Sequence, residues 1–310
     1  MEAWKQKYLN KIVQGDCLEI MKEIPNNSVD MTFADPPYNL GKRYEHYEDN
    51  KETREYLAWC RKWLHEMVRI TKSTGSIFVI NIPLWSIYFA RYLSEVAYFK
   101  AWIAWDAMGA PKGRKLLPNH YAILWFVKDP ENYKFYDIRY PHPRCRICGE
   151  LIADYGGKKH LLHPFGPLVS DVWKDIHRIR HKIRRDEHPC QLPVPLLERL
   201  ILMATDEGDI VLDPFVGTGT TCVAAKRLGR QYIGIDIDPK YVEIARKNVK
   251  KAKPTLINGV YVSVYLDRIV TIRDKDYDKI KDFLTTKPLI VNSKTVKQMT
   301  LPVFQEKGQN

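Results

Sequence analysis

Short apolar runs alternate with helical patterns along most of the chain, and that alternation admits little besides an α/β protein with a mostly parallel sheet. In the first half, Val29 to Ala34 reads as a buried strand that stops at Asp35-Pro36-Pro37-Tyr38. Residues 51–72 carry Tyr56, Trp59, Trp63, Met67 and Ile70 at helical spacing, which predicts a helix with its aromatics in the core. A strand over 75–82, a helix over 84–96 and a strand pair at 99–105 and 121–127 follow. Residues 128–187 lose this rhythm and are rich in Pro, His, Arg and Tyr; so long an irregular stretch inside a compact domain is usually functional. Regular structure resumes with a helix from Val194 to Ala204, a strand over 209–212 and a glycine-bearing turn. A helix over 220–228, a strand over 231–235 and a helix over 240–249 complete it. The expectation is one doubly wound α/β domain in two halves, 1–127 and 188–252, with 128–187 inserted between them. A basic tail, 253–310, shows only a few strands and one helix near 277–284.

Two strand ends carry chemistry. The first is Ile210-Val211-Leu212-Asp213-Pro214-Phe215-Val216-Gly217-Thr218-Gly219-Thr220-Thr221, a strand, a tight turn and a helix start. Glycines there let the backbone approach a ligand closely, and the free N–H groups of the new helix attract a negative group. The following strand ends in Gly234-Ile235-Asp236-Ile237-Asp238. An acid about 20 residues beyond such a turn is placed to accept hydrogen bonds from ribose hydroxyls. Asp236 is the first choice and Asp238 the alternative. The turn is not a dinucleotide fingerprint, because Asp213 stands where a pyrophosphate would be repelled. A zwitterionic amino-acid ligand would instead find a partner there for its ammonium group.

The second strand end is Asp35-Pro36-Pro37-Tyr38, at the carboxyl edge of the sheet, where open α/β folds bind ligands. An aromatic amine is a poor nucleophile because its lone pair is delocalised into the ring. Two acceptors gripping its two hydrogens favour the pyramidal form, whose lone pair can point at a sulfonium methyl. The Asp35 carboxylate supplies one acceptor and the Pro36 carbonyl the other. Proline has no N–H, so the turn offers carbonyls without competing donors and with φ fixed. The ring of Tyr38 offers a flat face for a base, a stacking contact of roughly 1–3 kcal/mol.

Together these stretches resemble the DNA amino-methyltransferases that act on adenine N6 or cytosine N4. Asp-Pro-Pro-Tyr is similar to that family's catalytic motif, and the run from Asp213 to Thr221 to its cofactor loop, which implies S-adenosylmethionine contacts at Asp213, Phe215, Gly217, Thr218, Gly219, Thr220 and Thr221. The catalytic motif comes first, the irregular segment next and the cofactor motif last, as in the family's circularly permuted beta class. The resemblance implies a Rossmann-like methyltransferase fold. Upstream, Gly15-Asp16-Cys17-Leu18 resembles the segment that meets the cofactor's adenine, implying roles for Asp16 and Cys17. His188-Pro189-Cys190-Gln191-Leu192-Pro193 resembles the segment beside the methionine moiety, although family members often carry Lys where this chain has Leu192.

A base inside a duplex cannot reach Asp35, so the resemblance also implies that the target nucleotide is flipped out, at a cost of a few kcal/mol. The net charge of +12 favours an anionic partner, and double-stranded DNA fits the rest. Arg178, Arg180, Arg184 and Arg185 in the irregular segment, with Lys112, Arg114 and Lys115 in an earlier loop, are the expected DNA contacts. Arginine pairs with guanine edges while lysine mostly holds phosphate. Cys145-x-x-Cys148 followed by His160-x-x-His163 gives four ligands paired as in structural zinc sites. Adenine N6 is preferred over cytosine N4 because the family's cytosine enzymes commonly carry Ser where Asp35 stands. An RNA or protein amino-methyltransferase is a more remote reading, and a catalytically dead DNA-binding protein is opposed by the intact Asp35 and Asp213. No apolar run reaches the ~18–20 residues that span a bilayer, and the first residues lack a signal peptide's apolar core. Six sparse cysteines suit a reducing compartment, so a cytoplasmic monomer or homodimer, paired with a restriction endonuclease, is the expectation.

Overall fold

A computed structural model describes residues 2–42, 46–106, 119–143, 155–179, 191–265 and 268–284. Its contacts separate two compact units. One comprises Met1–Phe135 and Ser170–Lys253, the other Tyr136–Val169 and Pro254–Asn310.

The first half of the chain supplies α1 (Ala3–Tyr8), β1 (Lys11–Gln14), α2 (Cys17–Lys22), β2 (Val29–Ala34), α3 (Thr53–Ile70), β3 (Thr71–Asn81), α4 (Pro83–Val96), β4 (Tyr98–Asp106) and β5 (His120–Val127). Then come β6 (Ile138–Arg139), which belongs to the second unit, β7 (Val172–Trp173), α5 (Val194–Ala204), β8 (Ile210–Asp213), α6 (Thr220–Arg227), β9 (Gln231–Asp236) and α7 (Pro239–Lys251). Eight of the strands form one sheet in the order β1-β9-β8-β2-β3-β5-β4-β7. Every neighbouring pair is parallel except the two that involve β5. The doubly wound α/β expectation is borne out.

Central strands are covered on both faces, which is why all six residues of β2 are buried while α3 buries only the stripe Tyr56, Cys60, Trp63, Leu64, Met67 and Ile70. The two sequence halves meet where β2 pairs with β8, Thr32 opposite Leu212. The buried Asp30 carboxylate staples that seam, accepting from the Ile210 N–H at 3.0 Å and from Lys72 at 2.8 Å.

Residues 170–179 are also fixed to this unit. Strand β7 extends the sheet beside β4, Trp105 Nε1 donates to the Ile176 carbonyl at 2.6 Å, and the fully buried Arg199 grips Asp175 through two nitrogens at 2.8 and 2.5 Å. The contacts therefore divide the stretch 128–187 differently from its sequence rhythm. Its middle, Tyr136–Val169, folds with the C-terminal region instead. That second unit contains β10 (Leu256–Ile257), β11 (Val260–Tyr261), β12 (Ser263–Tyr265), β13 (Arg268–Arg273) and α8 (Tyr277–Ile280). Strand β13 lies between β12 and β6, and Phe165, Ile257, Val262, Ile269, Ile272 and Ile280 bury a core of their own. The region read as a basic tail thus has an apolar interior, shared with residues far upstream. Among the described residues, no helix is long and apolar enough to cross a membrane.

Candidate functional site

Because β1, β9, β8 and β2 are consecutive parallel neighbours, Asp16, Asp236, Asp213 and Asp35 all emerge at one edge of the sheet. One open cleft joins them, with Asp35, Pro36, Pro37 and Tyr38 on one wall. Asp16, Cys17, Asp213, Phe215, Gly217, Thr218, Thr220, Thr221 and Asp236 line the rest. The cleft encloses about 1160 Å³ of free space, counting the part open to solvent.

The turn after β8 is built by side chains that reach back to it. Asp213 accepts from the Phe215 N–H at 2.9 Å and from the Thr221 hydroxyl at 2.5 Å, closing the turn upon itself. Asp236 accepts from the N–H groups of Gly217 and Asp238, both at 2.9 Å, so its carboxylate is held level with the turn. Asp238 caps α7, accepting from the Lys240 N–H. Gly219 alone among the expected cofactor residues does not line the cleft; it turns the chain behind it at φ 91°, with Ala245 packed close on its α-carbon. The Thr220 hydroxyl donates to the Leu192 carbonyl at 3.4 Å, and Leu192 itself forms part of the cleft wall. Asp16 caps α2 through the Leu18 N–H, and Cys17 beside it is buried, its thiol pushed well up by that burial.

The reacting turn is held from several sides. The hydroxyl of Tyr38 donates to Asp35 Oδ1 at 2.7 Å. Asp49, almost wholly buried, accepts from the N–H groups of Asn39, Leu40 and Lys42 and so fixes the strand of chain that follows the motif. Tyr38 is only 6% exposed; the Lys42 ammonium lies 5.3 Å from its ring centre and Tyr121 packs against it at 5.9 Å. The ring expected to stack on a base is thus largely buried, with Lys42 and Tyr121 beside it.

Burial pushes the Asp35 carboxyl up to about 7, opposed by the Tyr38 hydroxyl and the Lys42 charge. Burial also pushes Asp213 up to about 7, and the negative charges of Asp35 and Asp236 add to the rise. Asp236 is raised as well, again chiefly by burial. Three acids thus crowd one cleft, with the Lys42 charge opposing the rise at Asp35.

Lys42, His46, Tyr47, Trp59 and Tyr241 also line the cleft, and none stands in a motif. Trp59 shares a helical stripe with buried aromatics, so spacing could not separate it from core. Of the expected DNA contacts, only Arg178 lies within the described residues, partly buried beside the anchored Ile176. Lys112, Arg114, Lys115, Arg180, Arg184 and Arg185 lie outside them, as do Cys145 and Cys148. His160 is exposed, whereas His163 Nδ1 accepts from the Phe165 N–H at 3.3 Å and Nε2 lies 3.9 Å from Asp274. Among the described residues no group of three or more His, Cys, Asp or Glu could hold a metal ion.

Comparison with known proteins agrees with this geometry. Residues 29–247 match the model of the N6/N4 DNA methylase family. The chain is 39% identical over 273 residues to the type II methyltransferase M.BamHI of Bacillus amyloliquefaciens, covering 86% of this chain and 64% of that one, so it spans less than two thirds of this relative's length. It is 32% identical over 246 residues to the DNA adenine methyltransferase YhdJ of Escherichia coli (strain K12), covering 78% of this chain and 83% of YhdJ. The solved structure of PvuII DNA methyltransferase (cytosine-N4-specific) superposes with a TM-score of 0.55 at 20% identity, over 76% of this chain and 85% of that one, a likeness of fold.

Proposed function

The chain belongs to the DNA methylase family, and from that premise we propose that it transfers a methyl group from S-adenosylmethionine to the exocyclic amine of a base flipped out of double-stranded DNA. The observation that supports this is the cleft itself, whose lining includes Asp35 and Pro36 together with Asp213 and Asp236. The residues present fit S-adenosylmethionine: Asp213 would hold its ammonium group, Asp236 would accept from its ribose, and the Gly217–Thr221 turn would lie beside it. When bound, it supplies the electrophilic methyl group.

The chain's own residues do the rest. Asp35 and the Pro36 carbonyl each take one amine hydrogen, which localises the lone pair on nitrogen. As the new N–C bond forms and the methyl–sulfur bond breaks, the nitrogen becomes positive and its surplus proton passes to Asp35. Gripping the amine needs Asp35 ionised, and Lys42 favours that form.

Adenine N6 is the target we assign, from Asp35 at the first motif position and the 32% identity to an adenine methyltransferase. Cytosine N4 is the second reading, favoured by the crowding of Tyr38, which suits a smaller ring. A cytoplasmic enzyme acting beside a restriction endonuclease of the same specificity accords with the type II relative. The test is to incubate the purified chain with unmodified duplex DNA and S-adenosylmethionine, digest to nucleosides and separate them by mass. N6-methyldeoxyadenosine is the expected product. N4-methyldeoxycytidine alone would move the target, and no methylated amine at all would sink the reading.

A further inference from the structure

We infer that Tyr56 and Trp85 are positioning residues that hold the carbonyls of Pro37 and Tyr38 away from the reacting amine and so leave the Pro36 carbonyl to grip it. This rests on the reading of Asp35 and Pro36 as the acceptor pair. A turn of consecutive residues offers several carbonyls, and an amine gripped by the wrong one points its lone pair elsewhere. The structure removes that choice. From the first turn of α3, the Tyr56 hydroxyl donates to the Pro37 carbonyl at 2.7 Å. From the first turn of α4, Trp85 Nε1 donates to the Tyr38 carbonyl at 2.6 Å. No donor reaches the Pro36 carbonyl among the described residues.

Buried tyrosines and tryptophans generally find a hydrogen-bond partner, so each bond alone would mean little. Here the two partners are successive carbonyls of the reacting turn, and the two donors brace one another, their rings 4.9 Å apart and tilted by 58°. Tyr56 is fully buried and Trp85 nearly so, which leaves little room for either ring to swing away. The start of α3 is itself docked to the chain beyond the motif, the Lys51 N–H donating to Asn39 Oδ1 at 2.7 Å and Asn39 Nδ2 to the Lys51 carbonyl at 2.9 Å. Helix and turn therefore keep a fixed distance. Phenylalanine would fill nearly the same space at position 56, so the hydroxyl is separable from the packing.

Tyr56→Phe in the full chain isolates that hydroxyl. A small misplacement of reacting groups costs orders of magnitude in rate, so kcat on duplex DNA should fall by about ten-fold or more. The KM for DNA and the S-adenosylmethionine affinity by calorimetry should stay within about two-fold, since neither ligand is bound by the Pro37 carbonyl. Trp85→Phe should give the same split, and the double variant should lose less than the product of the two, because both donors act on one turn. A Tyr56→Phe enzyme with kcat within two-fold of the parent overturns the inference, as does one whose cofactor affinity falls in step with kcat. Should Tyr56→Phe not fold, Trp85→Phe decides by the same criteria. An active parent with an active variant sinks the clamp alone; a parent that methylates no amine in DNA sinks the acceptor-pair reading beneath it.

Discussion

Asp35 and Asp213 have opposite partners but share one electrostatic predicament. Both are raised to about 7 by burial, and the charge of Asp35 adds to the rise at Asp213. Asp35 must be ionised to accept from an amine, and Asp213 must be ionised to hold an ammonium group. Activity should therefore fall on the acid side, with the acid limb of kcat/KM centred near neutrality and not near the 3.8 of an ordinary aspartate. Unfolding would not explain such a limb. A carboxyl whose folded value lies above its unfolded one contributes stability that is fully present below 3.8 and is lost as the pH rises toward about 7, so acidification through that window stabilises these two positions. The measurement is kcat/KM against pH, with circular dichroism followed in parallel. A kcat/KM profile flat down to pH 5 would mean that neither carboxyl of the free enzyme is raised, and would overturn this expectation. Asp35→Asn, which cannot ionise, should be nearly inactive at every pH while still binding cofactor.

At the scale of elements, the turn between β8 and α6 is where backbone geometry leaves least freedom. Gly219 sits at φ 91°, and a β-carbon there would meet the Cβ of Ala245 at 2.9 Å and its Cα at 3.0 Å. Ala245 lies on α7, and its backbone cannot yield without moving that helix. Gly219→Ala should cost ~2–4 kcal/mol, combining a left-handed backbone with overpacking. Denaturant titration checks this, and Ala245→Gly in the same chain should recover only part of the loss because the strained φ remains. The glycine and acids of this turn were legible in the sequence, since strand, turn and helix each have a local signature. So was α3, from a periodicity that runs from Tyr56 to Ile70. The grip of Asp49 on the backbone of Asn39, Leu40 and Lys42 was not, because a buried side chain that satisfies N–H groups seven to ten residues away has no period. Lys42 and Trp59 in the cleft were missed for a related reason: one follows a loop and the other hides in a core stripe.

For the whole molecule, the same limit explains the second unit. Strand β6 is two residues long and pairs with β13, Arg139 opposite Ile272, across more than a hundred residues of sequence, so no local pattern announces it. What the sequence did disclose at this scale is charge, a net +12 that has to meet something. Arg178 is the informative position, because its Nε is buried and makes no hydrogen bond among the described residues. A guanidinium in that condition is costly unless an acceptor arrives, and a phosphate or a guanine edge is a good one. Arg180, Arg184 and Arg185 follow it on the chain. Replacing all four by alanine should weaken DNA binding and flatten its dependence on salt, by about 0.9 in log–log slope for each phosphate that is no longer neutralised. An arginine that reads a base edge instead would weaken binding to the cognate site without changing the slope as much. Cofactor affinity should stay that of the parent; Arg178, the one of the four within the described residues, does not line the cleft. Fluorescence anisotropy on one duplex across a salt series provides the slope. A slope unchanged by the four substitutions would move the electrostatic interface off this segment and toward the basic C-terminal region.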